Sequence, residues 1–465
     1  MLFRKPSLKI WLAAVLTTAV VLGGAVVYAQ SAAPDAGAIV TPPPPTIEAA
    51  TEPAVAAATL DKGDTAWLLI STALVMLMTP GLAFFYGGLV RRKNILSIMM
   101  QCFMILCIVS LQWIFFGYSL SFADSGNSFI GGLKYFGMAN IGIDDVKGSI
   151  PHYLFMIFQM MFAVITPALI IGAFAERMRF AAFCVFTVLW ATLVYDPLAY
   201  WVWGGGFLMK MGALDFAGGA VVHINAGMAA LAAALVLGKR QGFPKRISSP
   251  HNLPFAILGA ALLWFGWFGF NAGSALSANG LAATAFVATH VATAAAGLVW
   301  SLLDWFKHGK PTTLGMITGA VAGLVAITPA AGFVGPMGAV AIGAGAGLIC
   351  WMSVTYMKVK FGYDDSLDAF GVHGVGGMWG AIATGIFATR SITGPTGAQG
   401  LLYGDAHQFW VQVTTVAISA GYSFIVSLVL FKLVDVFCKL RISEHDERVG
   451  LDLTQHKEAA YTIVD

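Results

Sequence analysis

The feature that most constrains this chain is a series of eleven apolar runs, each of about 18–30 residues, which begins near Thr65. About 20 apolar residues in a helix cross the roughly 30 Å hydrocarbon core of a bilayer. Charged residues make up only 11% of the chain, whereas soluble domains carry about 25%. The sequence therefore predicts an all-α polytopic membrane protein with eleven transmembrane helices, approximately at 66–90, 95–120, 152–175, 180–200, 216–238, 253–273, 281–303, 312–328, 334–357, 366–389 and 408–438.

The first sixty residues differ in character from the apolar series. A basic segment precedes an apolar stretch at 10–27, and small residues follow at Val27-Tyr28-Ala29. This order is typical of a secretory signal, so residues 1–29 are predicted to be a cleaved signal peptide; a retained transmembrane helix is the alternative. Residues 30–60 are rich in Ala, Pro and Thr, which predicts a disordered extracytoplasmic linker.

Basic residues concentrate in the loops after the odd-numbered runs, and the other loops carry only scattered ones. Because loops rich in Lys and Arg stay in the cytoplasm, the mature N-terminus is predicted outside and the C-terminus inside. The membrane domain then covers 61–440, and a polar cytoplasmic tail covers 441–465. The basic loop residues are Arg91, Arg92, Lys93, Arg177, Arg179, Lys239, Arg240, Lys245, Arg246, Lys307, Lys310, Lys358, Lys360, Lys439 and Arg441.

Two apolar runs carry the same pattern, an aspartate eight residues before a histidine. The pairs are Asp215 with His223 and Asp365 with His373, and glycines surround each histidine. The histidines fall in the fifth and tenth runs, so runs 1–5 and 6–10 read as two inverted five-helix repeats, with a final long helix outside them. Inverted repeats place the functional pathway at their interface, near the midplane. An ionisable group in a membrane helix usually faces such a pathway.

The two histidines allow three interpretations. Each could be a packing residue bonded to a backbone carbonyl. As a pair, neutral imidazoles both donate and accept hydrogen bonds, so they could pass a small polar molecule or a proton. A metal or haem site is the third possibility, but the chain has no H-E-x-x-H, no C-x-x-C and no obvious third ligand. We therefore expect no metal and no cofactor. Asp215 and Asp365 could cap their helices, and a carboxylate at a pore mouth would also favour a cation.

Aromatic residues crowd the ends of several runs. Phe158 and Phe162 lie four apart on one face of the third run, and Trp203 precedes three glycines. Trp267, Phe270 and Ser274 share one stripe of the sixth run, at i, i+3 and i+7. Each ring alone is typical of an interfacial aromatic belt. Together they could offer π-faces to a small cation and rings that close a narrow pore.

Several long motifs carry a resemblance to a known family. They are GLAFFYGGLVR at 81–91, GAFAERM at 172–178, DFAGGAVVHIN at 215–225, GFNAGSA at 269–275 and FGVHG at 370–374. These runs resemble the ammonium transporter family (Amt/Mep/Rh), and most of all its bacterial Amt branch. The resemblance extends from about residue 61 to the C-terminus. It implies an eleven-helix fold with pseudo-twofold halves, a homotrimer with one pore per subunit, and a bacterial inner-membrane location.

The resemblance also implies roles for individual residues. Tyr200 stands where many relatives have histidine, outside the pore motifs. By motif, Trp203, Phe158 and Ser274 match an outer ammonium-binding site; Phe162 and Phe270 match a pair of rings that close the pore; Trp267, His223 and His373 match pore-lining residues; and Asp215 matches an aspartate needed for conduction.

The function implied is ammonium transport: recruitment at the aromatic outer site, deprotonation, and passage of ammonia along the histidines with net inward movement of charge. The alternatives are an ammonium sensor of the same fold, which usually carries a long soluble signalling domain, and a histidine-dependent metal or haem enzyme. The tail contains Glu447 to Leu453, which resembles the family's docking segment for PII-type nitrogen regulators. The expected partners are thus ammonium or ammonia, a PII-type protein, membrane lipid and two further copies of the chain, and not nucleic acid.

Overall fold

A computed structural model of the protein describes residues 59–245 and 249–461. The predicted signal peptide at 1–29 and nearly all of the predicted linker at 30–60 lie outside the described residues. From Leu60 onward the chain forms one compact unit.

Helices dominate this unit. In chain order they are α1 Lys62–Leu89, α2 Arg92–Phe122, α3 His152–Phe174, α4 Phe180–Lys210, α5 Gly219–Leu237, α6 Leu253–Ala275, α7 Gly280–His308, α8 Thr313–Ile327, α9 Pro336–Phe361, α10 at 370–387, α11 Ala406–Cys438, and in the tail α12 Glu444–Val449 and α13 Leu451–His456. Short helical turns lie at Phe136–Met138, Arg390–Thr393 and Leu401–Tyr403, and β1 Val146–Lys147 pairs antiparallel with β2 Ile150–Pro151.

Nine of the helices in the described residues are long and apolar enough to cross a membrane, namely α1–α7, α9 and α11. The other two predicted runs correspond to shorter elements. Helix α8 has 15 residues, and α10 consists of a π-helical turn, Phe370–Gly374, followed by the α-helix Val375–Phe387. The chain is therefore a mostly helical, multi-pass membrane protein.

Burial separates central helices from peripheral ones. The most apolar stretch of α3 is 94% buried and that of α5 is 78% buried, against 39–61% for the other long helices. A residue on an outer helix face can contact lipid, so only α3 and α5 require partners all round. A functional site enclosed by protein is therefore expected where α3 and α5 meet the helices around them.

Small residues let the backbones approach closely. A Cβ atom added to Gly259 of α6 would lie 2.1 Å from the backbone nitrogen of Phe85 of α1. Any side chain at Gly259 would therefore push the two helices apart. Lipid supplies no hydrophobic drive between helices, so such close packing stabilises their association.

Within the described residues, five helices contain a π-helical turn. Two of these turns occur in α4 (Ala191–Tyr195) and α9 (Ser353–Met357), and two more hold the histidines in α5 (Gly219–Ile224) and α10 (Phe370–Gly374). The fifth lies in α2 at Trp113–Gly117. Such turns often occur at functional sites. The first four form two pairs, each with its members five helices apart, which is the spacing of the predicted repeats.

Candidate functional site

A buried aspartate lies four or five residues before the start of each histidine helix. The carboxylate of Asp215 accepts hydrogen bonds from four consecutive backbone N–H groups, those of residues 218–221, at 2.5–3.1 Å. Asp365 accepts two, from Ala369 and Phe370, at 3.1 and 2.8 Å. The first turn of a helix has no internal acceptors for its N–H groups. The two aspartates supply them and so fix where each histidine helix starts.

The two histidines meet at the centre of the protein. Nδ1 of His223 lies 3.3 Å from Nδ1 of His373, and the rings are nearly parallel, with an interplanar angle of 18°. Both side chains are almost fully buried. In a hydrogen bond between two Nδ1 atoms, one ring donates and the other accepts. For neutral rings the two Nε2 atoms then have opposite roles, so the pair presents one acceptor and one donor.

Glycines allow this approach. A Cβ atom added to Gly227, one turn after His223, would lie 2.1 Å from the backbone nitrogen of Gly374, the neighbour of His373. The backbones of α5 and α10 therefore touch beside the imidazoles. The distance between the rings depends on two residues that carry no side chain.

A narrow cavity contains the histidine pair. Its volume is about 10 Å³, and its wall is formed by His223, His373, Trp267, Phe270 and aliphatic side chains such as Leu263. A space of this size admits about one water-sized molecule. Trp267 lies nearly parallel to the His223 ring, with centroids 5.3 Å apart, and its indole N–H donates to Thr328. The cavity therefore has no room for a hydration shell.

Two buried aromatic rings meet at the cavity, and one of them, Phe270, forms part of its wall. The centroids of Phe162 and Phe270 are 4.3 Å apart, and both side chains are fully buried. Phe158 and Trp203 contact the edge or face of Phe162, at 5.0 and 5.9 Å between centroids. The four rings therefore form one aromatic cluster beside the cavity.

The polar groups beside these rings leave specific atoms free. Trp203 donates its indole N–H to the backbone oxygen of Asp215 at 2.9 Å, so the ring offers only its π-face. Ser274 donates its hydroxyl proton to the backbone oxygen of Phe270 at 2.8 Å, so its oxygen can accept a further hydrogen bond. Both side chains are partly exposed. Thus the structure brings the nine residues selected from sequence together in one cluster of linked contacts. Tyr200 lies apart, donating to the backbone oxygen of Asn127.

A second, wider cavity begins on the other side of His373. It has a volume of about 290 Å³, and its wall includes Tyr86, Asp304, Lys358 and Asp368. The ammonium group of Lys358 is paired with the carboxylate of Asp368. The sequence analysis named Lys358 only as a basic loop residue and did not name Asp368 as a candidate site residue. The only available signal was a carboxylate three positions after Asp365.

A buried charge network lies at the ends of α1, α3 and α5. Glu176 pairs with Arg91 and with Arg240, at 2.9 and 3.5 Å, and Arg240 also pairs with Asp364 at 2.7 Å. Burial alone would raise the pKa of Glu176, but hydrogen bonds and charge from the two arginines outweigh it and lower this pKa below its ordinary value. The pKa of Asp364 is lowered in the same way, against burial, chiefly by Arg240. The network therefore stays ionised at neutral pH.

The tail packs against the same end of the helices. Glu447 accepts a hydrogen bond from the backbone of Gln241 at 2.7 Å and pairs with Arg441. Leu451 donates its backbone N–H to Asn94, and Asp452 accepts that of Ser97, at 2.9 and 2.8 Å. Composition predicted only a polar tail. The structure shows the described tail held by side-chain and backbone contacts.

Among residues 59–245 and 249–461, no group of three or more His, Cys, Asp or Glu side chains lies close enough to hold a metal ion. The histidine pair therefore has no third ligand in this part of the chain.

A multi-pass helical protein with a small central cavity lined by aromatic rings and two histidines has an architecture that suits a membrane transport protein. Comparison with known proteins defines the family. The model of the Ammonium Transporter Family matches residues 66–461. The ammonium transporter of Bacillus subtilis (strain 168) is 55% identical over 404 residues, which cover 86% of this chain and 99% of that protein. The chain belongs to the ammonium transporter family.

Solved structures support the same assignment. The crystal structure of Candida albicans Mep2 matches with a TM-score of 0.79 at 38% identity, covering 86% of this chain and 91% of that one. A structure described as a sensor Amt protein matches with the same TM-score at 30% identity, covering 85% of this chain and 98% of that one. The protein is thus a transporter and not an enzyme.

Proposed function

We propose that this chain carries ammonium across the membrane by binding it outside the ring pair, removing a proton, and passing ammonia between the histidines. The observation that carries the proposal is the histidine pair inside a closed cavity with room for about one water-sized molecule. The 55% identity to a transporter over nearly the full length of that protein supports the substrate.

The outer site explains a preference for ammonium over potassium. The two ions have similar size and equal charge, so charge alone does not separate them. The π-faces of Trp203 and Phe158 attract either cation, by roughly 0.5–2 kcal/mol each. The free lone pair of Ser274 accepts an N–H bond, which only ammonium can donate. The carboxylate of Asp215, which holds the backbone beside Trp203, adds a negative charge that favours a cation there.

The passage explains why the proton must leave. A charged group in an apolar membrane environment costs several kcal/mol or more, and the cavity admits no hydration shell to offset this cost. Ammonia is neutral and has both N–H donors and a lone pair. The histidine pair presents one acceptor and one donor, so it can hydrogen-bond ammonia without being charged. The proton then follows a separate path, and the net movement of charge is inward.

The sensor alternative keeps the same fold and rests on the likeness to the sensor Amt protein. The identity to that structure is 30%, against 55% for the Bacillus transporter. The higher identity favours transport.

We further propose the finer architecture implied by the repeats. Eleven spans over 61–440 form two inverted five-helix halves and a final helix, and three copies assemble as a homotrimer in a bacterial inner membrane. After removal of residues 1–29 the N-terminus lies outside, followed by the extracytoplasmic linker. The tail at 441–465 lies in the cytoplasm, because the basic loops that it contacts are predicted there. Its docked segment from Glu447 to Asp452 offers a surface for a PII-type regulator.

The test is charge movement in vesicles that contain the purified protein, after addition of ammonium or of potassium. The intact protein is expected to respond to ammonium only. His223→Ala should abolish the selective response, because the buried pair loses one partner. His290→Ala is the matched control, since that histidine lies on the exposed face of α7 beside Trp264. Selective transport by His223→Ala at the control rate would contradict the proposed mechanism.

A further inference from the structure

The two halves differ at one position that matters for charge. Gly218 and Asp368 each lie three residues after a capping aspartate, and both have left-handed backbone, with φ of 115° and 62°. Glycine adopts this conformation at no steric cost, whereas other residues seldom do. The second half nevertheless places a carboxylate there. No side chain exists at the corresponding place beside the outer site.

The carboxylate of Asp368 has a cation from its own chain. Lys358, directly after the π-helical turn of α9, donates to Asp368 Oδ1 and to the backbone oxygen of Asp365, the latter at 3.3 Å. Both side chains line the 290 Å³ cavity that reaches His373. Their exposed fractions are 14% for Lys358 and 24% for Asp368, so the pair is shielded but open to the cavity.

The other titratable groups on this cavity are already bonded within the protein. Asp304 accepts hydrogen bonds from Thr312 and from the indole of Trp351. Tyr86 donates to the backbone oxygen of Leu169, and His373 contacts His223. Asp368 is therefore the carboxylate through which a mobile cation in this cavity could be held.

We propose that Asp368 and the backbone oxygen of Asp365 form an inner site for small N–H cations, which the ammonium group of Lys358 occupies as a tethered substitute for free ammonium. This inference rests on the proposed transport of ammonium. The lysine head group and ammonium carry the same charge and donate N–H bonds, so one set of acceptors serves both. The tether holds the lysine head group at an effective concentration in the millimolar range. Free ammonium is therefore displaced from the inner end of the passage.

The consequence concerns product release. With Lys358 in place, ammonium that forms in the wide cavity is not retained there. Without it, a shielded carboxylate faces the cavity with no counterion and binds ammonium from the tail side. Ammonium accumulated on that side should then slow transport from the other side.

The experiment measures initial uptake of nitrogen-15-labelled ammonium into vesicles in which protease access confirms that the tail faces the lumen. The lumen is either empty or preloaded with about 10 mM unlabelled ammonium, a concentration comparable with that of the tether. Uptake into empty vesicles reports folding and basal transport for each variant.

Preloading is expected to change uptake by the unmodified protein less than about twofold. It should slow uptake by Lys358→Met on the order of tenfold, because a tethered competitor has been removed. Adding Asp368→Asn to that variant should restore the unmodified behaviour. Lys307→Met is the matched control, since it removes a nearby exposed lysine that does not line the cavity. If Lys358→Met does not insert into the membrane, Lys358→Gln replaces it as the variant without the lysine charge.

Two results would overturn the inner site: equal inhibition of Lys358→Met and Lys307→Met, or inhibition that persists in the double variant. Absence of uptake by the unmodified protein into empty vesicles would instead refute the proposed function. The two failures are therefore distinguishable.

Discussion

Replacement of Gly227 by alanine tests whether transport depends on the distance between the two histidines. The added Cβ would lie 2.1 Å from the backbone nitrogen of Gly374, where ordinary van der Waals contact begins near 3.4 Å. Backbone atoms on both sides cannot rotate away, as the end of a side chain could. Helices α5 and α10 must therefore separate by roughly 1 Å, because a packed core has no free space to absorb the methyl group.

This separation is large compared with the tolerance of the histidine pair. The Nδ1 atoms are 3.3 Å apart, already near the upper limit of about 3.5 Å for a hydrogen bond. An added separation of roughly 1 Å breaks the contact and leaves two buried ring nitrogens without partners, at about 1–3 kcal/mol each. We expect Gly227→Ala to remain folded, with a lower unfolding temperature, and to lose most ammonium-driven charge movement.

The matched control is Gly421→Ala in α11. A Cβ atom there would meet nothing within 4 Å, so the substitution changes helix propensity alone. Charge movement in reconstituted vesicles and thermal unfolding in detergent are measured for both variants. If Gly227→Ala transports ammonium as fast as Gly421→Ala, the argument from the histidine distance is refuted.

Substitutions at Asp215, Phe270 and Glu176 test other parts of the protein. Asp215→Ala should abolish charge movement, because four buried N–H groups lose their acceptor at about 1–3 kcal/mol each, while Asp215→Asn should retain part of it. Phe270→Ala should destabilise the protein by about 3–5 kcal/mol in thermal unfolding, since its ring is fully buried; Phe286→Ala, with an exposed ring, should cost far less. Glu176→Gln should destabilise by roughly 3 kcal/mol at pH 7, because Arg91 loses a buried partner. The pKa of Glu176 is lowered in the folded state, so its contribution is present above the unfolded value of about 4.3 and lost as pH falls through the folded value. The difference from the intact protein should therefore narrow in acid, and a constant difference down to about pH 3 would contradict the assignment.

Much of the fold could be predicted because its determinants are local in sequence. Hydropathy over about 20 residues specifies a membrane helix without reference to its neighbours, and nine long apolar helices lie where the runs predicted them. The two exceptions are instructive. Helix α8, at Thr313–Ile327, matches its predicted run of 312–328 but has only 15 residues. Helix α10 begins at Phe370 and not at 366, after the loop that carries Asp365 and Asp368. At the start of α10, the carboxylate of Asp365 accepts the backbone N–H groups of Ala369 and Phe370, so this aspartate sets where the helix begins.

The site residues were recognisable because two motifs repeat the same spacing, with His223 and His373 separated by 150 residues. The amino-acid sequence therefore specifies a series of membrane helices and the identity of the aromatic and imidazole side chains. Their convergence was a property of the tertiary structure, since it depends on backbone contact between Gly227 and Gly374.

The charged pairs also depend on the tertiary structure. Glu176 with Arg240, and Lys358 with Asp368, join different helices and loops. From sequence alone, a charged residue next to a membrane helix is predicted to lie in a solvated loop. Only the packing of the helices brings two such charges together and shields them from water, and that packing sets their role.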